Sequence, residues 1–148
     1  PNDDVPTYDC SIPFIRMMSG PMDYTPGAMR NATKSEFKPS NSNPVSQGTR
    51  CHQLALYTIF EAPLQMMADS PTAYMAAQES TDFIAKIPTV FDETVALDGE
   101  VGKYISIARK KGITWYLGSI TNWNGRDITI DFSFLEKGKG TTCAIQYN

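Results

Sequence analysis

With 148 residues the chain fits one ordinary domain or two small ones, and it can bury roughly two thirds of its unfolded surface. Hydrophobic residues make up 41% and charged residues 20%, which excludes a disordered tail, and no apolar run approaches the ~20 residues of a membrane span. Thirteen basic and sixteen acidic side chains leave a net charge of −3 with the positives scattered, a poor match to nucleic acid.

Residue 1 is proline rather than methionine, and Cys143 to Asn148 reads as a strand without a closing turn, so a piece of a longer chain is expected. Pro1 to Val5 has neither the basic nor the apolar region of a secretory signal. Cys10, Cys51 and Cys143 lie too far apart for a metal knuckle and do not form an even-numbered disulfide framework, so buried free thiols are expected. The single histidine, His52, follows Cys51 directly. Neighbours on a helix point about 100° apart, so this pair is badly placed for nucleophilic catalysis.

Ser11 to Met18 is a short, mostly apolar run of the kind that a buried parallel strand uses. Ser19 to Gly27 carries two prolines and two glycines and predicts a specified loop or short strand. Asn31 to Gln47 is polar, with Pro39 and Pro44, and reads as a long surface excursion of the kind that often carries function. A helix is predicted from Thr49 to about Phe60, with Arg50 and Gln53 off its apolar face and Pro63 ending it. Leu64 to Ala68 predicts a short strand. Ser70 and Pro71 then supply the N-cap and first position of a helix running from Thr72 to about Lys86. Strand and helix alternating in this way indicate βα units and a parallel sheet.

From Thr89 the period changes to two. Lys103–Arg109, Thr114–Thr121, Asp127–Leu135 and Thr141–Tyr147 alternate apolar and polar positions and predict antiparallel strands. Lys111-Gly112, Asn124-Gly125 and Gly138-Lys139-Gly140 suit the turns between them. Four or five such strands predict an incomplete sandwich or small barrel, with a domain boundary near Pro88.

If residues 1–88 belong to an α/β barrel, polar side chains at the carboxyl ends of strands line its active face. Arg16, Asp23 and Asp69 stand in such places. Two carboxylates there fit a glycosidase acid and nucleophile, or purely structural roles. Asp69, directly before Ser70-Pro71, favours an N-cap or ion pair. Asp23, between Met22 and Tyr24, fits pairing with Arg16 as well as contact with substrate. His52 reads as a packing or hydrogen-bonding residue, and Met17, Met18, Met66 and Met67 as core filling. Trp115 and Trp123, with Tyr104 and Tyr116, are candidates for a sugar-stacking platform, although core burial suits Trp115 better. No dinucleotide fingerprint, P-loop, HExxH or serine elbow occurs.

The run Ile12-Pro-Phe-Ile-Arg-Met-Met-Ser-Gly-Pro-Met-Asp-Tyr-Thr-Pro-Gly-Ala-Met29 resembles the late-barrel signature of glycoside hydrolase family 97, the α-glucosidase and α-galactosidase family. Gly48 to Tyr57, Glu61 to Pro71, Pro88 to Gly99, Tyr104 to Lys111 and Trp115 to Thr121 continue the resemblance over nearly the whole chain. It implies an enzyme of three parts: an amino-terminal β-sandwich, a (β/α)8 TIM barrel and a carboxyl-terminal β domain, often with calcium at the active site. On that reading the fold class is α/β plus all-β. Residues 1–88 are the last βα units of the barrel, and residues 89–148 are an incomplete antiparallel β-sandwich. A complete barrel takes about 250 residues, which agrees with so short a barrel-like part.

The resemblance further implies an oligosaccharide substrate, the remainder of the parent chain as partner, and a periplasmic or secreted enzyme. The family's catalytic carboxylates and calcium-binding glutamates lie before the Pro-Phe-Ile-Arg motif. No nucleophile, acid/base or metal ligand is therefore carried onto this chain, which by itself is expected to be inactive. Arg16, Asp23 and Tyr24 are expected near the sugar pocket. The alternative is a non-catalytic carbohydrate-binding or structural β module.

Overall fold

A computed structural model describes residues 4–40 and 42–136. The chain opens with two short helices, α1 (Val5–Asp9) and α2 (Ile12–Ile15), and a 3-10 turn at Met17–Ser19. Pro6 and Pro13 stand in the first turns of these helices, where a fixed φ suits the helix and a missing N–H leaves nothing unpaired. Ser11 to Met18 is thus helical and not the strand that its apolar composition predicts. Only Ile12 of this run is buried, and Ile15 and Met18 are exposed.

An irregular stretch then leads to β1 (Asn31–Ala32), which pairs in parallel with β2 (Ser46–Gln47) and ties off the predicted excursion at its base. The helix α3 (Arg50–Ile59) follows, close to its predicted bounds. Thr49 caps it by accepting from the N–H of His52, and Phe60 leaves it in extended conformation. Leu64–Ala68 forms no strand. Two backbone bonds, Met22 N–H to the Glu61 carbonyl and Ala68 N–H to the Pro26 carbonyl, hold this segment beside residues 22–26 in the same direction. Without a regular ladder, Leu64, Met66 and Met67 stay exposed, as does Met18, so of the four methionines expected in the core only Met17 packs against it.

Ser70 caps α4 (Pro71–Ala76) by accepting from the Ala73 N–H. The single helix expected to run to Lys86 is broken at Ala77, whose φ of −120° and ψ of 48° lie outside the helical region, and α5 (Gln78–Ile84) completes it. The Thr81 hydroxyl holds the joint by donating to the carbonyls of Tyr74 and Ala77.

Three antiparallel strands follow in the order β3 (Glu93–Glu100), β4 (Tyr104–Lys111), β5 (Thr114–Thr121). A bulge between Ala96 and Asp98 shifts the β3–β4 register, and Gly112, at φ 58°, makes the tight turn into β5. β3 is absent from the predicted strands. Asp127–Leu135, predicted as one, is not a strand, and Thr141–Tyr147 lies outside the described residues. The second sheet of a sandwich is accordingly not seen among the described residues; instead, α3 covers one face of the sheet. Among the described residues no helix is long and apolar enough to cross a membrane.

The main core joins both halves of the chain. Cys10 and Ile12 meet Leu56, Ile59 and Phe60 of α3 and its cap, and Ile105, Ile107 and Ile120 of the sheet. Each such side chain contributes about 1.5–3 kcal/mol when fully buried. The close approach of α3 depends on Gly118, which lies under Ala55, Thr58 and Ile59. At the carboxyl end of α3, the buried Arg109 of β4 donates from Nη2 to the Ile59 carbonyl at 3.0 Å, a cation at the negative end of a helix. A second cluster, Met29, Leu54, Tyr57, Tyr74 and Ile84, packs α4 and α5 against the other side of α3.

Candidate functional site

Asp9, the last residue of α1, is completely buried. Its Oδ1 accepts from the Tyr24 hydroxyl at 2.8 Å, and its Oδ2 lies 3.0 Å from Nε2 of His52 on α3. A buried carboxylate costs several kcal/mol unless its oxygens are satisfied, and both are. Three elements far apart in sequence are thereby fixed to one point. Burial first, then the Asp9 charge and the bond to it, push the Tyr24 phenol well above its ordinary range, so it stays protonated and donates. The Tyr24 ring stands edge-on to Phe60 at a centroid distance of 4.6 Å. Next to Asp9, burial and then the same negative charge push the Cys10 thiol up to about 12, which removes it as a nucleophile.

Tyr24 also lines a cleft of about 350 Å³ between the 24–28 stretch and the polar excursion. Phe37, Pro39, Pro44 and Val45 give it apolar walls, and Thr25, Ser40, Ser46, Gln47 and Gln53 add neutral polar groups. Among the described residues no lysine, arginine, aspartate or glutamate lines it.

The floor of the cleft is held by side chains. Pro26 to Met29 is buried, yet it belongs to no helix or sheet. Gln53 accepts from the Gly27 N–H, Tyr57 donates to the Pro26 carbonyl and Tyr74 to the Gly27 carbonyl. Asp69 accepts from the Met29 N–H and Arg50 donates to the Met29 carbonyl. Buried backbone outside a ladder needs such partners. Gln53, expected to lie off the apolar face of α3, is buried for this reason, and its amide is a signal that periodicity does not register.

The three residues expected near a sugar pocket do not form one cluster by direct bonds. Arg16 is exposed and donates to the carbonyls of Gly20 and Pro21, bracing the turn between them. Asp23 is exposed, and among the described residues no ion pair joins it to Arg16. Tyr24 alone reaches the cleft. Asp69 is neither the N-cap, which is Ser70, nor, among the described residues, part of an ion pair; its role is structural in another way, Oδ1 accepting from the Ser70 N–H and Oδ2 from the Met29 N–H. Trp115 is half-buried, tilted against Phe134 at 4.8 Å with Lys110 over its ring. The indole N–H of Trp123 donates to Asp4 at 2.9 Å, pinning the start of the described chain to the end of the sheet. Among the described residues no group of three or more His, Cys, Asp or Glu side chains is placed to hold a metal ion.

Residues 90–148 match the family model described as glycosyl-hydrolase 97 C-terminal, oligomerisation. Over 135 residues, 91% of its length, the chain is 59% identical to the retaining alpha-galactosidase of Bacteroides thetaiotaomicron, of which it spans 20%. Over 108 residues, 73% of its length, it is 31% identical to the probable retaining alpha-galactosidase of Streptomyces bingchenggensis, of which it spans 15%. Among solved structures, a Glycoside Hydrolase Family 97 enzyme in complex with panose, from Pseudoalteromonas sp. strain K8, superposes with a TM-score of 0.76. That match has 36% identity and covers 90% of this chain and 21% of the other. The chain thus spans about a fifth, or less, of the relatives that it matches. The family model over the strands, an identity over 135 residues that takes in α3, and the superposition agree that the chain belongs to glycoside hydrolase family 97.

Proposed function

We propose that the chain is part of an exo-acting α-glycosidase, with α-galactosides as first substrates and α-glucosides as second. In it, residues 1–88 form the end of the catalytic barrel and residues 89–148 belong to the carboxyl-terminal β domain. The observation that carries this is the 59% identity, across 91% of the chain, with a retaining alpha-galactosidase. The geometry lends support. Residues 22–26 and 61–68 run side by side in the same direction, and α3 makes the crossover between them, as in a βα unit. The change from helices to strands between Ile84 and Glu93 supports the division near Pro88.

Hydrolysis with retention needs a carboxylate nucleophile and a carboxylic acid on either side of the glycosidic bond. Asp9 and Asp69 have both oxygens engaged in holding the fold and are unsuited to either part. We assign the chemistry to carboxylates elsewhere in the whole enzyme, and this segment alone turns over no glycoside. Calcium, where the whole enzyme uses it, is held by residues outside those described. Tyr24 supplies a ring face to a sugar in the cleft, while Arg16 and Asp23, exposed and outside the cleft lining, offer hydrogen bonds to sugar hydroxyls beyond it. Following the family description of residues 90–148, the β domain assembles the enzyme with further copies of itself.

The test is hydrolysis of nitrophenyl α-galactoside and α-glucoside by the whole protein, with and without a chelator. The galactoside is expected to react faster. No turnover of either substrate overturns the proposal.

A further inference from the structure

The Asp9–His52 pair is costlier than a core of this size needs. Two ionisable groups are buried between α1 and α3, where apolar side chains of the same volume would pack as well or better. What the pair achieves is orientation. With Oδ2 taken by His52, Asp9 offers Oδ1 to the Tyr24 hydroxyl, and Phe60 supports the ring from the side. The hydroxyl is turned inward and is not available to a ligand. Tyr24 therefore contributes to the cleft through its ring. Phe37 and Pro39 line the same cleft, together with Ser40 and Ser46. Aromatic surface with neutral polar groups, and no charged side chain among the described residues, suits a neutral ligand rich in hydroxyls and disfavours an ionic one. The volume of about 350 Å³ lies within the range of small-molecule sites, toward its lower end.

We propose that Asp9 and His52 are positioning residues, which hold the Tyr24 ring as one wall of a subsite for a single neutral sugar unit in this cleft. This rests on the glycosidase reading for the identity of the ligand, and it adds two residues, Asp9 and His52, that act only through a third.

In the whole protein, Tyr24→Phe removes the tether and keeps the ring, Asp9→Asn keeps the shape and removes the charge, and Phe37→Ala removes another aromatic ring from the lining without touching the buried pair. Each is expected to raise KM for the aryl galactoside roughly five- to tenfold, the worth of about one hydrogen bond or ring contact, with kcat nearly unchanged. The double variant Asp9→Asn/Tyr24→Phe is expected to be no worse than the weaker-binding single variant, because both break one unit. Thermal melts are run in parallel. If Asp9→Asn and Tyr24→Phe lower the melting temperature while KM stays that of the wild type, the pair is structural only and the proposal fails. A KM unmoved by Phe37→Ala overturns the subsite itself, whatever the stability of the other two. Should the wild type hydrolyse neither glycoside, the enzyme reading falls, and calorimetric titration with galactose and glucose decides the subsite. Binding weakened by Tyr24→Phe and Phe37→Ala sustains it, and no binding of either sugar overturns it.

Discussion

Replacing Gly118 by alanine tests how closely α3 rests on the sheet. A Cβ placed on Gly118 falls 2.8 Å from Cγ1 of Ile59, 3.1 Å from the Ala55 carbonyl oxygen and 3.1 Å from Cβ of Thr58. None of these is the free end of a flexible side chain. Two sit at or next to the helix backbone, so relief requires α3 to shift as a body, and α3 is held by Arg109 at one end and by Asp9 near the other. Overpacking of this kind costs about 1–3 kcal/mol, while alanine recovers about 0.4–1 kcal/mol by restricting the unfolded chain. The net loss is about 1–2 kcal/mol, equivalent to roughly 3–6 °C in melting temperature for a chain of this size. Gly125→Ala is the control, since a Cβ there meets nothing within 4 Å. Differential scanning calorimetry of both variants gives the answer. If Gly118→Ala melts with Gly125→Ala, within a degree or so of the wild type, the tight contact is not what seats the helix.

Two further predictions concern ionisation. The Lys111 hydrogen bond first, and then the Gly112 N–H, hold the Asp92 carboxyl below its ordinary value of 3.8. A carboxyl lowered in the folded state stabilises fully above the unfolded value and loses that contribution as pH falls through the folded one. The melting temperature of the wild type should therefore exceed that of Asp92→Asn at pH 7, and the two should converge below pH 3.8; a gap that persists in acid refutes the assignment. Cys10, with its thiol raised to about 12, should resist iodoacetamide at pH 8 in the folded protein and be alkylated after denaturation; mass mapping that finds native Cys10 labelled refutes its burial.

The sequence is most legible where local chemistry decides structure. Thr49 and Ser70 mark helix starts because their hydroxyls cap whatever follows, and Gly112 marks a hairpin because it alone in that turn accepts a positive φ. Legibility fails where the environment decides. Ile12 to Ile15 has the composition of a buried strand, but it has no neighbours to pair with and Pro13 suits a first helical turn. Asp127 to Leu135 alternates as a strand should, yet among the described residues it has no ladder. β3 was hidden by its acidic ends and by a bulge that breaks the alternation between Ala96 and Asp98. The site follows the same division. The cleft-forming excursion shows in its polar, proline-rich composition. Asp9 and His52, 43 positions apart, carry no local signal that they meet.

The arrangement around α3 also limits how this protein can change. Seven of its ten residues are buried, His52, Gln53, Leu54, Leu56, Tyr57, Thr58 and Ile59, and they serve three clients: the sheet, the Asp9 carboxylate and the irregular peptide of Pro26 to Met29. A helix with one outward face can drift in sequence along that face. This one has little face to spare, so an exchange that suits the sheet at one position displaces a bond to the cleft floor at the next. Variation in specificity is therefore expected to accumulate in the 33–45 excursion, which hangs from a two-residue pairing and can be rebuilt without disturbing the helix beneath it.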